Sequence, residues 1–127
     1  MADSERRKRG LAKMQEVYAG DVAVPPAGAS GFADLMLEQL FAETWTREEL
    51  PLRDRRLLTM GVIAALGEKD TFAIQVRASL KNGELTAAQI REILIHLAQY
   101  AGYPRAAGLI GVTEKTIAEV EQQAVSD

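Results

Sequence analysis

Apolar residues recur along this chain at intervals of three and four positions, and no alternating segment of the kind typical of strands interrupts them. This spacing places the apolar side chains on one face of a helix, so the pattern predicts an all-α protein. The first helix is expected roughly from Ser4 to Tyr18, with Gly20 placed to end it. Residues 21–31 contain two prolines and two glycines and predict a loop.

Further helices are predicted from the same periodicity and from residues that favour helix ends. Their ranges are about 32–42, 52–66, 68–81, 86–101 and, as one helix or a pair, 104–124. The 52–66 helix is apolar almost all round after a charged first turn, which predicts a central, buried element. Thr46 with Glu49, and Thr86 with Gln89, have the spacing of a capping box.

Composition and charge narrow the class of protein. A chain of 127 residues with 47% apolar positions predicts one compact domain over residues 1–127. No apolar run approaches the roughly 20 residues that cross a bilayer, and the polar N-terminus lacks the apolar stretch of a signal peptide, so we expect a cytoplasmic protein. Five of the 15 basic residues lie within residues 1–13, and the rest of the chain is acidic, which makes a poor surface for nucleic acid.

The absence of cysteine removes whole classes of chemistry. Disulfides, thiolate metal sites and cysteine nucleophiles all require a residue that this sequence lacks. A single histidine also excludes a metal site with several histidine ligands from one chain, so no metal is predicted.

The one histidine is the first candidate for proton transfer. His96 and Tyr100 fall one turn apart on the predicted 86–101 helix, where they can act on one pocket. A general acid or base that titrates near neutral pH is therefore either His96 or a carboxyl group with a perturbed pKa. The alternative is a histidine whose hydrogen bonds are satisfied at the edge of the core.

Two charged segments offer groups that could bind a substrate. Arg53, Arg55 and Arg56 lie at the start of the 52–66 helix, where at least one guanidinium is expected against buried surface and can hold a carboxylate through two hydrogen bonds. The alternative is a solvated cluster in which these arginines pair with Asp54 and nearby glutamates. Glu43 and Trp45 form a second candidate group, for which the alternative is a tryptophan that anchors the core.

Residues 107–117 have the small residue, glycine and threonine spacing of a helix-turn-helix DNA reader. Glu114, Glu119 and Glu121 on the second helix would repel phosphate groups. We therefore interpret the segment as a helix–turn–helix packing element and expect no nucleic-acid partner. A DNA-binding regulator is the less favoured hypothesis.

Several short motifs of this chain occur together in one known family. They are Glu43-x-Trp45, Leu50-Pro51 leading to Arg55, the Asn82-Gly83 turn and His96-x3-Tyr100-x-Gly102-x-Pro104. On these residues the chain resembles the carboxymuconolactone decarboxylase family over nearly its whole length. The opening Arg9-Gly10-Leu11 is similar to the decarboxylase subgroup. The related alkylhydroperoxidase D-like reductases use a Cys-x2-Cys-x3-His centre, which this sequence cannot form.

The resemblance implies an all-helical, alkylhydroperoxidase D-like fold that assembles into homotrimers or hexamers with pockets between subunits. The family's named reaction converts γ-carboxymuconolactone, a small anionic lactone, to β-ketoadipate enol-lactone with loss of carbon dioxide during protocatechuate degradation. No cofactor is needed, because the negative charge left by decarboxylation is delocalised over the ring and the lactone oxygen as a furanolate.

The resemblance also implies roles for the candidate residues. In these roles Arg55, together with Arg53, grips a carboxylate, and His96 donates a proton or a hydrogen bond to the oxyanion. Glu43 and Tyr100 orient these groups, and Trp45 lies at the substrate site.

One position departs from the family pattern. Decarboxylases of this family usually carry a histidine in a His-x-Arg-Ala pattern before the Asn-Gly turn, and here Gln75 stands in that place. Glutamine forms hydrogen bonds but does not shuttle a proton at neutral pH. Either Gln75 positions the substrate and decarboxylation survives, or the protein has another reaction or a non-catalytic role in binding a small acidic or hydrophobic metabolite.

Overall fold

The structure is a computed structural model that describes residues 3–127, so Met1 and Ala2 of the predicted domain lie outside it. The described residues form helices and no strand, which confirms the all-α prediction. The elements are α1 (Glu5–Val17), α2 (Gly31–Leu35), a π-helix (Met36–Thr44), α3 (Leu52–Leu66), α4 (Lys69–Lys81), α5 (Ala87–Ala101) and α6 (Tyr103–Ser126). None of these helices is both long and apolar enough to cross a membrane.

The described chain consists of two compact units, one ending at Arg55 and the other spanning Arg56–Asp127. In the first unit α1 packs against the π-helix. Its core is built from Met14, Val17, Leu37, Phe41 and Trp45.

In the second unit α4 and α5 each pack against α6. The core of this unit includes Met60, Phe72, Ile90, Leu109 and Ile117, all of them buried. Burial of these side chains is the main favourable term in the folding of such a helical unit.

Local capping explains where two of the helices begin. The Ser4 side chain accepts a hydrogen bond from the backbone N–H of Arg7 and so caps α1. At the start of α5, Thr86 accepts from the backbone N–H of Gln89, and the Gln89 side chain accepts from the backbone N–H of Thr86. The capping box predicted there is confirmed.

The segment 32–46 differs from its prediction in two ways. In place of a single α-helix over 32–42, the chain forms α2 and then widens into the π-helix, whose last turn is closed by a hydrogen bond of 2.9 Å from Trp45 N to Leu40 O. The predicted capping box at Thr46 is wrong, because its hydroxyl donates to the carbonyls of Ala42 and Glu43. These carbonyls belong to the last turn of the π-helix, so the hydroxyl closes that helix and does not cap a following one.

The bounds of α3 match the prediction, but its expected burial on all sides is wrong. Met60 and Ile63 face the core, whereas Leu58, Val62 and Leu66 are 61%, 61% and 62% exposed. These three side chains follow one another at intervals of one turn, on a face that the other helices of the second unit leave exposed.

The predicted turn within residues 107–117 is also wrong. Gly108 and Gly111 lie inside α6, which continues without a break from Tyr103 to Ser126. Glycine lowers helix stability by roughly 1 kcal/mol but does not end a helix whose neighbours pack well. The described residues therefore offer no separate recognition helix for DNA in this segment.

Candidate functional site

His96 lines a cavity of about 410 Å³ in the second unit. Glu92 lies one turn before it on α5 and lines the same cavity, together with Gln89. The remaining walls are the apolar side chains of Leu57, Ile93 and Leu97. The cavity thus combines an imidazole and a carboxyl group with apolar walls, an arrangement suited to proton transfer on a small molecule.

Tyr100 extends this site along α5. Its ring centroid lies 5.1 Å from that of His96, with the two rings tilted by 36°. His96 is exposed and Tyr100 is 82% exposed. This exposure favours a site open to a small molecule over the alternative of a histidine satisfied at the edge of the core.

Gln75 belongs to a buried polar cluster in the second unit. It is 1% exposed, and its Oε1 accepts a hydrogen bond of 2.7 Å from Nη1 of Arg56. Arg56 is 0% exposed and donates through Nε and Nη2 to Oε1 and Oε2 of Glu84, at 2.9 Å and 3.1 Å. The guanidinium is therefore held by a carboxylate of its own chain, in the two-bond geometry that arginine favours.

The arginines proposed from the sequence are placed differently. Arg55 belongs to the first unit, where its Nε donates to the Leu50 carbonyl at 3.2 Å and its Nη2 to the Arg47 carbonyl at 3.0 Å. Arg53 is exposed. Of the arginines in the first turn of α3, Arg56 is the buried one that holds a carboxylate.

Glu43 and Trp45 lie at the end of the π-helix in the first unit. The Glu43 carboxylate forms an ion pair with Arg6, whose Nε donates to the Glu38 carbonyl at 2.6 Å. Trp45 is 7% exposed and stacks on Phe41, with ring centroids 6.2 Å apart. In this unit Trp45 serves as the core anchor that the sequence offered as an alternative.

The structure therefore brings His96 together with Tyr100, and Gln75 together with Arg56. It also reveals Glu92 and Glu84, which the sequence did not indicate. Arg56 is the buried arginine that was expected at the start of α3, and its spacing from Met60, Ile63 and Ala64 follows the buried face of that helix. Glu92 could have been found from its four-residue spacing to His96.

Comparison with known proteins decides the family. A family model described as the carboxymuconolactone decarboxylase family matches residues 31–115, which is more than half of the chain. The chain belongs to the carboxymuconolactone decarboxylase family. The resemblance inferred from the motifs around Trp45 and His96 is thereby confirmed.

Two of three similar proteins are named as decarboxylases. The chain is 29% identical over 126 residues to 4-carboxymuconolactone decarboxylase of Acinetobacter baylyi, covering 94% of this chain and 92% of the relative. It is 35% identical over 86 residues to nitrosuccinic acid decarboxylase of Metarhizium robertsii, covering 66% of this chain and 58% of the relative. An uncharacterized 15.0 kDa protein of Paracoccus denitrificans is 29% identical over 90 residues, which cover 69% of this chain and 66% of the relative.

Proposed function

We propose that this protein is a cofactor-independent decarboxylase of a small carboxylic acid. The observation that carries the proposal is the pair of His96 and Glu92 at the apolar-walled cavity of about 410 Å³. The similarity to a 4-carboxymuconolactone decarboxylase over 94% of the chain supports γ-carboxymuconolactone as the first substrate to test.

The reaction requires stabilisation of one charge and delivery of one proton. When the carboxylate leaves as carbon dioxide, the electrons of the broken C–C bond pass through the ring double bond to the carbonyl oxygen of the lactone. His96, in its protonated form, donates a proton to the resulting furanolate carbon or a hydrogen bond to its oxygen. Tyr100, whose ring lies beside that of His96, helps to orient the imidazole.

Binding of the substrate carboxylates requires arginine or lysine side chains, and these must come from outside the cavity walls. The six residues lining the cavity include neither arginine nor lysine. The resemblance assigns this role to Arg55 and Arg53, with Glu43 orienting them, and we retain these assignments as part of the proposal. Trp45, which the resemblance placed beside the substrate, acts in this proposal through its place in the core of the first unit.

Gln75 has an indirect role in this proposal. Its side chain is buried and bonded to Arg56, so it positions that guanidinium and transfers no proton. Proton transfer then falls to the cavity with His96 and Glu92, and the loss of the family's usual histidine at position 75 is compatible with turnover.

The test is an assay of the purified protein with γ-carboxymuconolactone formed in situ from carboxymuconate. Carbon dioxide release and enol-lactone formation are followed for the wild type, His96→Ala and Glu92→Gln, with Gln99→Ala as an exposed control on the same helix. We expect His96→Ala to lower kcat by roughly 100-fold or more, as is typical for loss of a general acid, and Gln99→Ala to leave kcat unchanged. Full turnover by a folded His96→Ala protein would remove His96 from the mechanism.

The second candidate function is binding of a small acidic or hydrophobic metabolite without turnover. It is favoured by Gln75, because the position usually occupied by histidine carries a group that does not titrate. Saturable binding of the lactone to a folded wild-type protein that releases no carbon dioxide would support this function and contradict the decarboxylase.

A further inference from the structure

A second cavity, of about 290 Å³, lies between α5 and α6 and shares no lining residue with the cavity beside His96. We call it the α5–α6 cavity. Leu94, Ala98 and Ala106 line it and are 7%, 7% and 6% exposed. Ala107 and Ile110 of α6 add further apolar surface.

The polar groups at the α5–α6 cavity form two pairs that link the helices. Arg91 of α5 donates through Nε and Nη2 to the carboxylate of Glu114 on α6, at 3.0 Å and 2.9 Å. Gln99 of α5 donates through Nε2 to the hydroxyl oxygen of Tyr103 on α6, at 2.7 Å. Both pairs hold the apolar walls at a defined separation.

The charges of this cavity are already compensated. The hydrogen bond between Arg91 and Glu114 raises the pKa of Arg91 and lowers the pKa of Glu114, so both groups stay ionised and bound to each other at neutral pH. They are the only charged residues among the nine that line the cavity. A charged ligand would have to compete with this pair, whereas a neutral ligand would not.

One hydrogen-bond donor at the α5–α6 cavity is available to a ligand, namely the hydroxyl group of Tyr103. Because the Tyr103 oxygen accepts the hydrogen bond from Gln99, the Tyr103 O–H proton is available to a ligand acceptor. The size of the cavity sets the size of the ligand. An apolar cavity of about 150 Å³ holds a benzene molecule, so one of about 290 Å³ has room for a substituted aromatic ring.

We propose that the α5–α6 cavity binds a neutral aromatic molecule of about ten non-hydrogen atoms that carries a hydrogen-bond acceptor. The ring packs on Leu94, Ala98 and Ile110, and the acceptor receives the Tyr103 hydroxyl proton. This site is independent of the proposed decarboxylase chemistry, since it uses none of the residues of the cavity with His96.

Acetophenone is the probe, because it is neutral, aromatic and carries a carbonyl acceptor without a donor. Its binding to the full chain is measured by isothermal titration calorimetry and by saturation-transfer NMR. Benzoate tests the effect of charge, and ethylbenzene tests the effect of removing the acceptor. We expect saturable binding of acetophenone and at least tenfold weaker binding of benzoate.

Variants locate the bound probe. Ala107 is exposed and lines the cavity, so Ala107→Phe fills it without disturbing the core and should abolish binding. Ala118→Phe is the matched control, since Ala118 is exposed on the same helix outside the cavity, and it should bind acetophenone like the wild type. Tyr103→Phe should weaken acetophenone binding by roughly 2- to 10-fold, the range for one hydrogen bond, and leave ethylbenzene binding unchanged.

Either of two results would overturn the proposal: a wild-type protein that shows no saturable binding of acetophenone, or an Ala107→Phe variant that binds it as well as the wild type. If the wild type binds no probe and the sedimentation mass of Ala107→Phe falls, the occupant of the cavity is a second copy of the chain.

Discussion

Arg56 brings a positive charge into a position that is 0% exposed, where an unpaired guanidinium would be strongly unfavourable. Glu84 neutralises this charge through two hydrogen bonds, and Gln75 accepts a third. The cluster joins α3, α4 and the segment before α5, so it specifies how these parts of the second unit meet. A buried pair of this kind contributes to a unique arrangement more than to net stability.

Removing one partner of this pair should therefore be far more damaging than removing both. We expect Arg56→Ala to lower the free energy of unfolding by about 3–5 kcal/mol, because Glu84 would remain buried without its partner. The double variant with Arg56→Met and Glu84→Leu should recover much of that loss. Urea unfolding of the three proteins measures these differences.

The exposed pair of Arg91 and Glu114 is the control for this prediction. Arg91→Ala should lower the free energy of unfolding much less, since solvent screens exposed charges. Equal losses for Arg56→Ala and Arg91→Ala would show that burial does not set the strength of the Arg56 cluster.

At the scale of elements, one glycine allows α1 and the π-helix to pack closely. A Cβ atom at Gly10 would lie 1.8 Å from the Leu37 carbonyl oxygen and 2.6 Å from its carbonyl carbon. Backbone atoms cannot move aside as a flexible side chain can. The close contact that buries Met14 and Leu37 therefore depends on the absence of a side chain at position 10.

Alanine substitutions at two helical glycines should act in opposite directions. Gly10→Ala should destabilise the first unit by about 1–3 kcal/mol or more, because α1 must move away from the π-helix. Gly111→Ala, with nothing within 4 Å of the added Cβ, should stabilise α6 by about 0.5–1 kcal/mol. Thermal unfolding followed by circular dichroism distinguishes the two, and a stabilised Gly10→Ala protein would contradict the packing described here.

An ion pair between α4 and α6 makes stability depend on pH. Arg77 donates through Nη2 to Glu119 at 2.6 Å, and this hydrogen bond lowers the pKa of Glu119 below its ordinary value of 4.5. The pKa of Glu119 is lower in the folded protein than in the unfolded chain. The ion pair therefore makes its full contribution to the free energy of unfolding above about pH 4.5, and this contribution is lost as the pH falls through the folded-state pKa.

Glu119→Gln should therefore be less stable than the wild type at pH 7, with a difference that shrinks and vanishes in acid. Urea unfolding over a series of pH values measures this difference. In a protein that already carries Arg77→Met, the same substitution should have a much smaller pH-dependent effect, because only the attraction of Lys115 then lowers the pKa of Glu119. An undiminished difference in that background would show that Arg77 is not the main partner of Glu119.

At the scale of the whole molecule, α3 carries an apolar face that is exposed to solvent in the single chain. Leu58, Val62 and Leu66 are each more than half exposed and share one face of the helix. Contiguous apolar surface of this kind is typical of a contact with another protein chain. It supports the trimer or hexamer that the family resemblance predicts.

Analytical ultracentrifugation tests this assembly. We expect the wild type to sediment as a trimer or hexamer and Val62→Lys to sediment with a lower mass, because a charge on the α3 face would have to be buried on association. Val125→Lys is the matched control, since Val125 is 88% exposed on α6, and its mass should equal that of the wild type. A monomeric wild type would contradict the predicted assembly.

Local information was enough for most of the helices and for the family. The spacing of apolar residues and the caps at Ser4 and Thr86 depend on neighbours within one or two turns, so the sequence alone predicted where α1, α3 and α5 lie. The motif around His96 and Tyr100 likewise indicated the family, which the matching family model confirmed. The neighbouring positions of His96 and Tyr100 are equally local, because residues four apart on a helix always lie about one turn from each other.

Tertiary packing decided what neighbouring residues in the chain could not. Arg53, Arg55 and Arg56 differ little in local sequence, and which of them is buried depends on how α3 is rotated against α4 and the Glu84 carboxylate. The widening of residues 36–44 into a π-helix, and the unbroken course of α6 through Gly108 and Gly111, depend equally on the helices packed against them. Local sequence therefore determined where α1, α3, α4 and α5 form and which chemical groups each carries. Tertiary contacts determined the π-helix, the unbroken α6 and the side chains that share a cavity, because helix rotation and side-chain burial are set by partners distant in sequence.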